Sequence, residues 1–170
     1  GRGPWAGPVV AAAVILPEHF VTDKINDSKK LSKKNRDLLY ENITKNADFG
    51  IGFASVNEID RLNILQATCL AMKRALDNLN ILPVRALVDG NVIPRDLPCA
   101  AKCIVKGDSK VVSIAAASII AKVTRDRLMT ELAQLYPGYG WDKNFGYGVK
   151  QHQEALKKLG VTPEHRRSFK

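Results

Sequence analysis

Two aspartates stand at a spacing that permits metal-ion chemistry. Short apolar runs cover residues 86–88 and 101–105, and each is followed by a turn-forming segment that contains an acid, Asp89 after the first run and Asp108 after the second. In α/β sheets, ligands bind at the carboxyl ends of the strands. Carboxylates placed there without a fixed cationic neighbour in sequence can hold Mg²⁺ or Mn²⁺ through their oxygens. The pattern is thus compatible with a divalent-cation site at one edge of a sheet.

The same two acids also suit a purely structural role. Asp-Gly-Asn and Gly-Asp-Ser are ordinary turn sequences, because Asp, Asn and Gly adopt the backbone angles that tight turns require. On spacing alone, turn formation explains both aspartates more simply than metal binding does. The two interpretations stay open until further residues are considered.

The surrounding pattern predicts the elements that position these acids. An apolar stripe with helical spacing runs from Ile114 to Leu135, and Ser113 is its expected N-cap. Gly50 and Gly52 interrupt a strand-like segment and predict that this strand packs closely against a helix. In all, strands are predicted over 9–16, 49–56, 86–88 and 101–105. Besides the helix that follows Ser113, helices are predicted over 33–46, 57–79 and 151–159. This alternation predicts an α/β fold in a single domain, 1–170.

The composition bounds the class of protein. A chain of 170 residues can bury a core without disulfides or structural metals. Lys and Arg number 26 against 17 Asp and Glu, and the resulting net charge of +9 favours a polyanionic partner. Nucleic acid is the first candidate and an anionic membrane surface the second. The longest apolar run, 9–16, is too short to cross a bilayer, so no membrane partner is expected.

The cysteines indicate the cellular compartment. Cys69, Cys99 and Cys103 are odd in number and have no histidine cluster at metal-ligand spacing. This favours small buried residues in a reducing compartment over zinc ligands or disulfides. The apolar run 9–16 could mimic a signal-peptide core, but Pro-Glu-His follows where a cleavage site would lie, which predicts a buried strand instead. We therefore expect a cytoplasmic protein, with a monomer as the default state.

Glycine-rich and basic segments are candidates for nucleic-acid contacts. The turn 1–3 places an arginine between two glycines, which allows a close approach to a phosphate, although a flexible terminus explains it equally well. Lys29 and Lys30 precede a predicted helix, where charged residues are usually solvated. The loop 141–149 mixes aromatics with glycines and can stack on a base or sugar, although for Trp141 and Phe145 packing on the core is the preferred interpretation. The tail 165–170 is basic with one aromatic and is either a nucleic-acid arm or an exposed end.

Eight segments of the chain, in order, resemble type 2 ribonuclease H, the ribonuclease HII family. They are 1–4, 26–31, 59–68, 88–91, 106–110, 113–127, 146–148 and 165–169. One such match would mean little, whereas eight in one order are highly specific. The Gly-Arg-Gly-Pro form resembles the bacterial type of this family and differs from the lysine-containing variant of ribonuclease HIII. The resemblance implies a ribonuclease H-like fold, with a mixed central sheet flanked by helices and a helical C-terminal region.

The resemblance also implies roles for individual residues. Asp89 and Asp108 match the third and fourth of four catalytic carboxylates, which favours metal binding over turn formation for both. The glycine turn matches the motif that senses the 2′-hydroxyl at an RNA–DNA junction, and a tyrosine matches the residue that packs on the sugar after that junction. The implied substrate-binding residues, including four phosphate contacts, are Gly1, Arg2, Gly3, Lys29, Lys30, Tyr147, Arg166 and Arg167.

The implied function is that of a metal-dependent endonuclease of DNA replication and repair. Members of the family cut the RNA strand of RNA/DNA hybrids, and cut 5′ of single ribonucleotides in duplex DNA, leaving 5′-phosphate and 3′-hydroxyl ends. Two Mg²⁺ or Mn²⁺ ions are the implied cofactors. A transposase-like nuclease would not explain the Gly-Arg-Gly and Gly-Tyr-Gly motifs. A sliding-clamp partner is compatible with the resemblance, but no motif for one is readable.

The sequence departs from the family at its start. The family has an Asp-Glu pair on a central strand immediately before the glycine turn, and this sequence begins at Gly1. We interpret the pair and its strand as missing from the sequence given. The alternative is a hybrid-binding module without catalysis. Val149 is a smaller departure, since threonine is common there in the family, and we expect little effect from it.

Overall fold

The computed structural model, which describes residues 1–169, contains strands and helices in alternation. The strands are β1 (Val9–Ile15), β2 (Asp48–Ala54), β3 (Arg85–Asp89) and β4 (Ala100–Ile104). The helices are α1 (Lys33–Asn46), α2 (Val56–Leu62), α3 (Ile64–Asp77), α4 (Val112–Leu135), α5 (Trp141–Asn144) and α6 (Lys150–Leu159). A short 3₁₀ turn, Gly107–Ser109, connects β4 to α4. The predicted α/β class is therefore confirmed.

The strands pair in twos. β1 and β2 are antiparallel, with Val9 opposite Ala54, and β3 and β4 are parallel, with Asp89 opposite Ile104. Strand directions are mixed, as expected. Within residues 1–169, however, no hydrogen-bonded ladder joins the two pairs into one central sheet. The long helix α4 contacts strands of both pairs and holds them in one structure.

Two helix ends differ from the predicted ones. The predicted N-cap Ser113 is wrong, because α4 begins at Val112 and has Val111 as its N-cap, two residues earlier, without a side-chain hydrogen bond. The 3₁₀ turn leads directly into this helix, since the N–H of Val111 donates to the carbonyl oxygen of Gly107. The predicted helix over 57–79 is divided at Asn63, whose φ of 73° interrupts it. The Asn63 side chain then accepts a hydrogen bond from Gln66 and caps α3.

Three apolar clusters form the core. One lies between the β1–β2 pair and helices α2 and α3. A second involves α1 and α4, with side chains of β1 and β2 packed against it. The third fills the C-terminal region around a fully buried tryptophan. Their largest buried members are Ile59 in the first, Ile43, Ile119 and Ile120 in the second, and Met129 and Trp141 in the third.

The structure shows how the cysteines are placed and how apolar the helices are. The cysteines are free, as expected, but they are half-buried rather than buried. Among the helices of residues 1–169, none combines the length and the apolarity that crossing a bilayer requires.

Gly52→Ala is expected to destabilise the protein by about 1–3 kcal/mol, because an added Cβ would overlap the backbone of α3. That Cβ would meet the carbonyl oxygen of Ala71 well inside van der Waals contact, as the predicted close packing of this strand implies. Gly3→Ala is the control: its φ is not positive, and within 4 Å its added Cβ would meet only the Tyr147 ring, at 3.6 Å, an ordinary van der Waals distance. Urea unfolding measures both, and equal losses would show that packing against α3 is unimportant.

Candidate active site

The two candidate acids lie at the same edge of the β3–β4 pair. Asp89 is the last residue of β3, and Asp108 lies in the 3₁₀ turn that follows β4. The N–H of Gly107 donates to Asp89 Oδ1 at 2.8 Å, so the turn is tied directly to the first carboxylate. Gly107 permits this approach, because an added Cβ would lie 2.6 Å from the Ile114 side chain and 3.4 Å from Asp89 Oδ1. The strand pattern therefore predicts the placement of both acids correctly.

The polar loop before α1 reaches these acids. Lys29 Nζ lies 3.4 Å from Asp108 Oδ2, at the outer limit of a hydrogen bond. The lysine side chain is mostly exposed, whereas that of Asp108 is largely shielded. Lys30 is exposed beside it, and both backbone N–H groups bond to Asp27. The exposed Lys29 ammonium therefore stands next to Asp108, where a phosphate can meet it, and Lys30 is the next exposed residue of the same loop.

The donor set fits a hard divalent cation held with help from substrate. Among residues 1–169, no group of three or more His, Cys, Asp or Glu side chains is placed to enclose a metal ion. Mg²⁺ commonly uses only one or two protein carboxylates and completes its shell with water and substrate phosphates. Asp89 and Asp108 match that requirement, and carboxylate oxygens are also suitable ligands for Mn²⁺.

The glycine turn 1–3 is exposed, and Arg166 lies beneath it. The Arg166 side chain is only 2% exposed. Its guanidinium donates to the carbonyl oxygens of Gly1, Arg2 and Gly7 at 2.7, 2.9 and 2.9 Å. A fourth bond reaches Pro8 O at 3.2 Å. The structure thus revises the expected phosphate contact. The N–H groups of Arg166 donate to backbone carbonyls, and the side chain supports the turn from below.

A second buried arginine, which was not predicted, joins the turn to the loop 145–148. Arg125 of α4 donates to Ala6 O at 2.8 Å, to Pro8 O at 3.0 Å and to Phe145 O at 2.9 Å. Burial lowers the pKa of Arg125 to about 10, which leaves it charged at neutral pH. Its position in sequence is the signal that could have revealed it, because Arg125 interrupts the apolar stripe of α4. A charge on a buried helix face indicates a specific set of acceptors.

The loop 145–148 brings Tyr147 to the glycine turn. The Tyr147 side chain is 44% exposed, and a Cβ added to Gly3 would lie 3.6 Å from its ring. The N–H of Trp5 donates to Gly146 O at 2.8 Å and fixes the two segments together. The predicted sugar-binding residue and the predicted 2′-hydroxyl sensor therefore form one surface.

Arg167 faces outward where Arg166 faces inward. Its backbone N–H donates to Asp60 at 3.1 Å, and the same carboxylate accepts from the N–H of Ser168 at 2.9 Å. The Arg167 side chain is exposed and borders an open groove of about 770 Å³ that includes neither Asp89 nor Asp108. Arg167 is therefore free to meet a phosphate outside the carboxylate edge.

A buried histidine pair lies behind the loop that carries Tyr147. His152 is 0% exposed, and its Nε2 is 3.0 Å from Nε2 of the buried His165. Trp141 Nε1–H also donates to His152 Nε2, at 3.2 Å. On the far side, the N–H of Thr162 donates to His165 Nδ1 at 2.9 Å. These contacts suit two neutral imidazoles, because donors already occupy the nitrogens that a proton would need.

Acid is expected to destabilise the protein through His165. Burial, and secondly the neighbouring His152, lower the pKa of His165 from 6.5 to about 4. The unfolded chain takes up this proton as the pH falls through 6.5, whereas the folded protein takes it up only near 4. The free energy of unfolding is therefore undiminished by His165 above pH 6.5 and falls progressively between pH 6.5 and 4. The loss amounts to about 3 kcal/mol.

Proton NMR of the histidine rings measures this directly. The ring signals of His165 should stay constant as the pH is lowered from 7.5 to 5.5 in roughly half-unit steps, because its pKa lies near 4. Urea unfolding at the same pH values should show stability falling with the pH. A His165 signal that titrates near its ordinary pKa would contradict the prediction.

The family comparison agrees with this geometry. A family model described as Ribonuclease HII matches residues 1–170. Ribonuclease HII from Jannaschia sp. (strain CCS1) is 60% identical over 99% of this chain and 85% of its own length. Ribonuclease HII from Neisseria meningitidis serogroup B is 56% identical over 99% of this chain and 88% of its own length.

Solved structures show the same fold. The ribonuclease H2 of Pyrococcus horikoshii OT3 superposes with a TM-score of 0.80 and 28% identity, over 100% of this chain and 90% of that one. A PCNA:RNase HII complex from Archaeoglobus fulgidus gives a TM-score of 0.77 and 28% identity, over 100% and 91%. The expected ribonuclease H-like fold is thereby confirmed. With the acids at one strand edge and this similarity along its full length, the chain belongs to the ribonuclease HII family of endonucleases.

Proposed function

We propose that this protein is a metal-dependent endonuclease that hydrolyses the RNA strand of RNA/DNA hybrids. It also cuts 5′ of single ribonucleotides embedded in duplex DNA and leaves 5′-phosphate and 3′-hydroxyl ends. The observation that supports this most is the placement of Asp89 and Asp108 at one strand edge, tied through Gly107, in a chain of this family. The net charge of +9 suits a polyanionic substrate.

The two carboxylates hold Mg²⁺ or Mn²⁺ in this proposal. When bound, a pair of such ions neutralises the charge that develops on the phosphate and orients the attacking water. Lys29 and Lys30 bind neighbouring phosphates, since the exposed Lys29 ammonium lies beside Asp108 and Lys30 is the next exposed residue of the same loop. Arg167 binds a further phosphate from the C-terminal segment.

The glycine turn and Tyr147 select the ribonucleotide. A protein that distinguishes RNA from DNA must contact the 2′-hydroxyl, and the exposed backbone of Gly1, Arg2 and Gly3 can approach it closely. The Tyr147 ring, half-exposed beside Gly3, packs on the sugar that follows. Selection and hydrolysis therefore use different residues.

Cleavage of an end-labelled DNA duplex with one ribonucleotide tests the proposal. The chain is assayed as given and with the Asp-Glu pair and upstream strand of the family placed before Gly1, each with Mg²⁺, with Mn²⁺ and with EDTA. We expect cutting 5′ of the ribonucleotide only when a divalent ion is present. Downstream fragments should require phosphatase treatment before they accept a 5′ label, because they carry a 5′-phosphate.

A second candidate function is hybrid binding without catalysis. The observation that favours it is that only two carboxylates meet at the strand edge within residues 1–169. Binding of the duplex by both forms without cutting by either would support this candidate. Failure to bind would exclude both.

We further propose that the protein removes ribonucleotides from DNA in the cytoplasm and acts as a monomer. The basic charge and the free cysteines suit that setting. Light scattering with size-exclusion chromatography measures the oligomeric state. Addition of a sliding clamp to the same experiment tests for a contact of the kind named in the Archaeoglobus fulgidus complex.

A further inference from the structure

The backbone carbonyl of Tyr147 is anchored by a buried histidine. His152, in the first turn of α6, places Nδ1 3.0 Å from Tyr147 O. The same carbonyl accepts the N–H of Val149 at 2.9 Å, and the N–H of Tyr147 itself donates to Asn144 O at 2.9 Å. The backbone on both sides of the exposed tyrosine ring is therefore held from within the protein.

The surrounding hydrogen bonds determine which nitrogen of His152 is protonated. His165 Nδ1 accepts the N–H of Thr162, so His165 carries its proton on Nε2 and donates it to His152 Nε2. Trp141 Nε1–H points at that same Nε2 of His152. With its Nε2 an acceptor for two donors, neutral His152 must carry its proton on Nδ1. That proton is directed at Tyr147 O.

Packing against Trp5 also restricts the loop. A Cβ added to Gly148 would overlap the Trp5 indole, which shows how tightly the ring covers the residue after Tyr147. The Trp5 ring centroid also lies 6.0 Å from that of His152. The loop is thus restrained both by packing against an aromatic ring and by a directed hydrogen bond.

We infer that His152 is a positioning residue for ribonucleotide selection, which acts by holding the backbone of Tyr147 through its Nδ1 proton. This inference rests on the proposed role of Tyr147 against the sugar. His165 and Trp141 contribute by fixing the tautomer of His152. Displacement of a reacting group by about 1 Å can cost a hundredfold in rate, so a modest shift of this loop has a large effect.

Two substitutions separate this role from general stability. In His152→Asn the amide nitrogen stands near the position of Nδ1 and can still donate to Tyr147 O, but the acceptor for Trp141 and His165 is lost. In His152→Gln the amide lies near the position of Nε2, so that acceptor is kept and the donor to Tyr147 O is lost. The first variant tests the internal hydrogen bonds, and the second tests the anchor.

We expect opposite outcomes for the two variants. His152→Gln should unfold close to the native urea midpoint but lose about ten- to a hundredfold in kcat on the single-ribonucleotide duplex, with its Kd for all-DNA duplex unchanged. His152→Asn should unfold at lower urea and keep kcat within about threefold of the native value. If stability and kcat fall together in both variants, or if His152→Gln keeps full kcat, the inference is overturned.

Two measurements need no activity and separate this inference from the proposed function. Nitrogen NMR of the unmodified protein should show His152 protonated on Nδ1; protonation on Nε2 would overturn the anchor, since Nδ1 could not then donate. Hydrogen exchange of the amides in 146–149 should be faster in His152→Gln than in His152→Asn, and equal rates would also overturn it. Failure of the native protein to cut a ribonucleotide would reject the proposed function and leave these two results standing.

Discussion

Asp89→Asn is expected to slow cleavage by at least about a thousandfold while hybrid binding persists, because a metal ion contributes several kcal/mol to phosphodiester hydrolysis. The substitution is structurally mild. Asparagine keeps an Oδ1 that can accept the Gly107 N–H, which lies 2.8 Å from Asp89 Oδ1 in the native protein. The negative charge and one carboxylate oxygen are removed. The turn should therefore remain intact while the metal site is lost.

This design distinguishes the two interpretations of the acids. If Asp89 only shapes a turn, asparagine serves equally well and cleavage continues at the native rate. Asp108→Asn should behave like Asp89→Asn, since both carboxylates are assigned to the ions. Asp77→Asn is the matched control, because Asp77 pairs with Lys73 on the exposed face of α3 and lies in a different element. Single-turnover rates on the ribonucleotide duplex, in the form of the chain that cleaves, together with the hybrid Kd measured in EDTA, provide the comparison.

The acid pair was predictable because its signals are local. An apolar run followed by an acidic turn occupies a few consecutive residues, and the carboxyl ends of parallel neighbours meet by geometry alone. β3 and β4 follow that rule, and Asp89 and Asp108 lie where it places them. The range of α1 was predictable for a similar reason. Its N-cap is local, since the Ser32 side chain accepts the N–H of Asn35 only three residues further along the chain.

The support beneath the glycine turn was not predictable in the same way. Arg166 and Arg125 bond to carbonyl groups more than a hundred residues away in sequence, and every residue, proline included, offers the same backbone acceptor. No pattern of residue types marks such a partner. The positive charge of an arginine in a basic tail suggests a phosphate contact. Only the burial of the Arg166 side chain in the structure shows that it has another role. The histidine anchor of Tyr147 was hidden for the same reason, because its acceptor is a backbone carbonyl.

The pairing of the strands shows a second limit. Mixed directions followed from the family resemblance, but the separation into two pairs depends on which strands form ladders with one another. Likewise, the break at Asn63 depends on a positive φ, which the apolar periodicity of 57–79 does not record. Periodicity reports the face that a residue occupies and says little about where the backbone changes direction.

Arg166→Met is expected to lower the free energy of unfolding by about 3–5 kcal/mol, because several backbone carbonyls lose a charged donor at once. For a chain of this size the midpoint of thermal unfolding should fall by about 10 °C. The neighbouring Arg167→Met should change stability by less than about 0.5 kcal/mol, because that side chain is exposed. It should instead reduce the slope of the logarithm of hybrid affinity against the logarithm of salt concentration by about one, as loss of a phosphate contact does.

These two adjacent arginines therefore test the division between support and contact. Thermal unfolding and hybrid Kd values over a range of salt concentrations are measured for both variants. Burial, and then the charge of Arg125, lower the pKa of Arg166 to about 9, so at neutral pH the folded protein retains a buried cation that donates to its carbonyl partners. Arg166→Lys should fail to restore stability, because one ammonium group cannot reach acceptors spread over Gly1, Arg2, Gly7 and Pro8. If Arg166→Met instead keeps native stability and reduces the salt dependence, Arg166 contacts phosphate and the turn is supported by other residues.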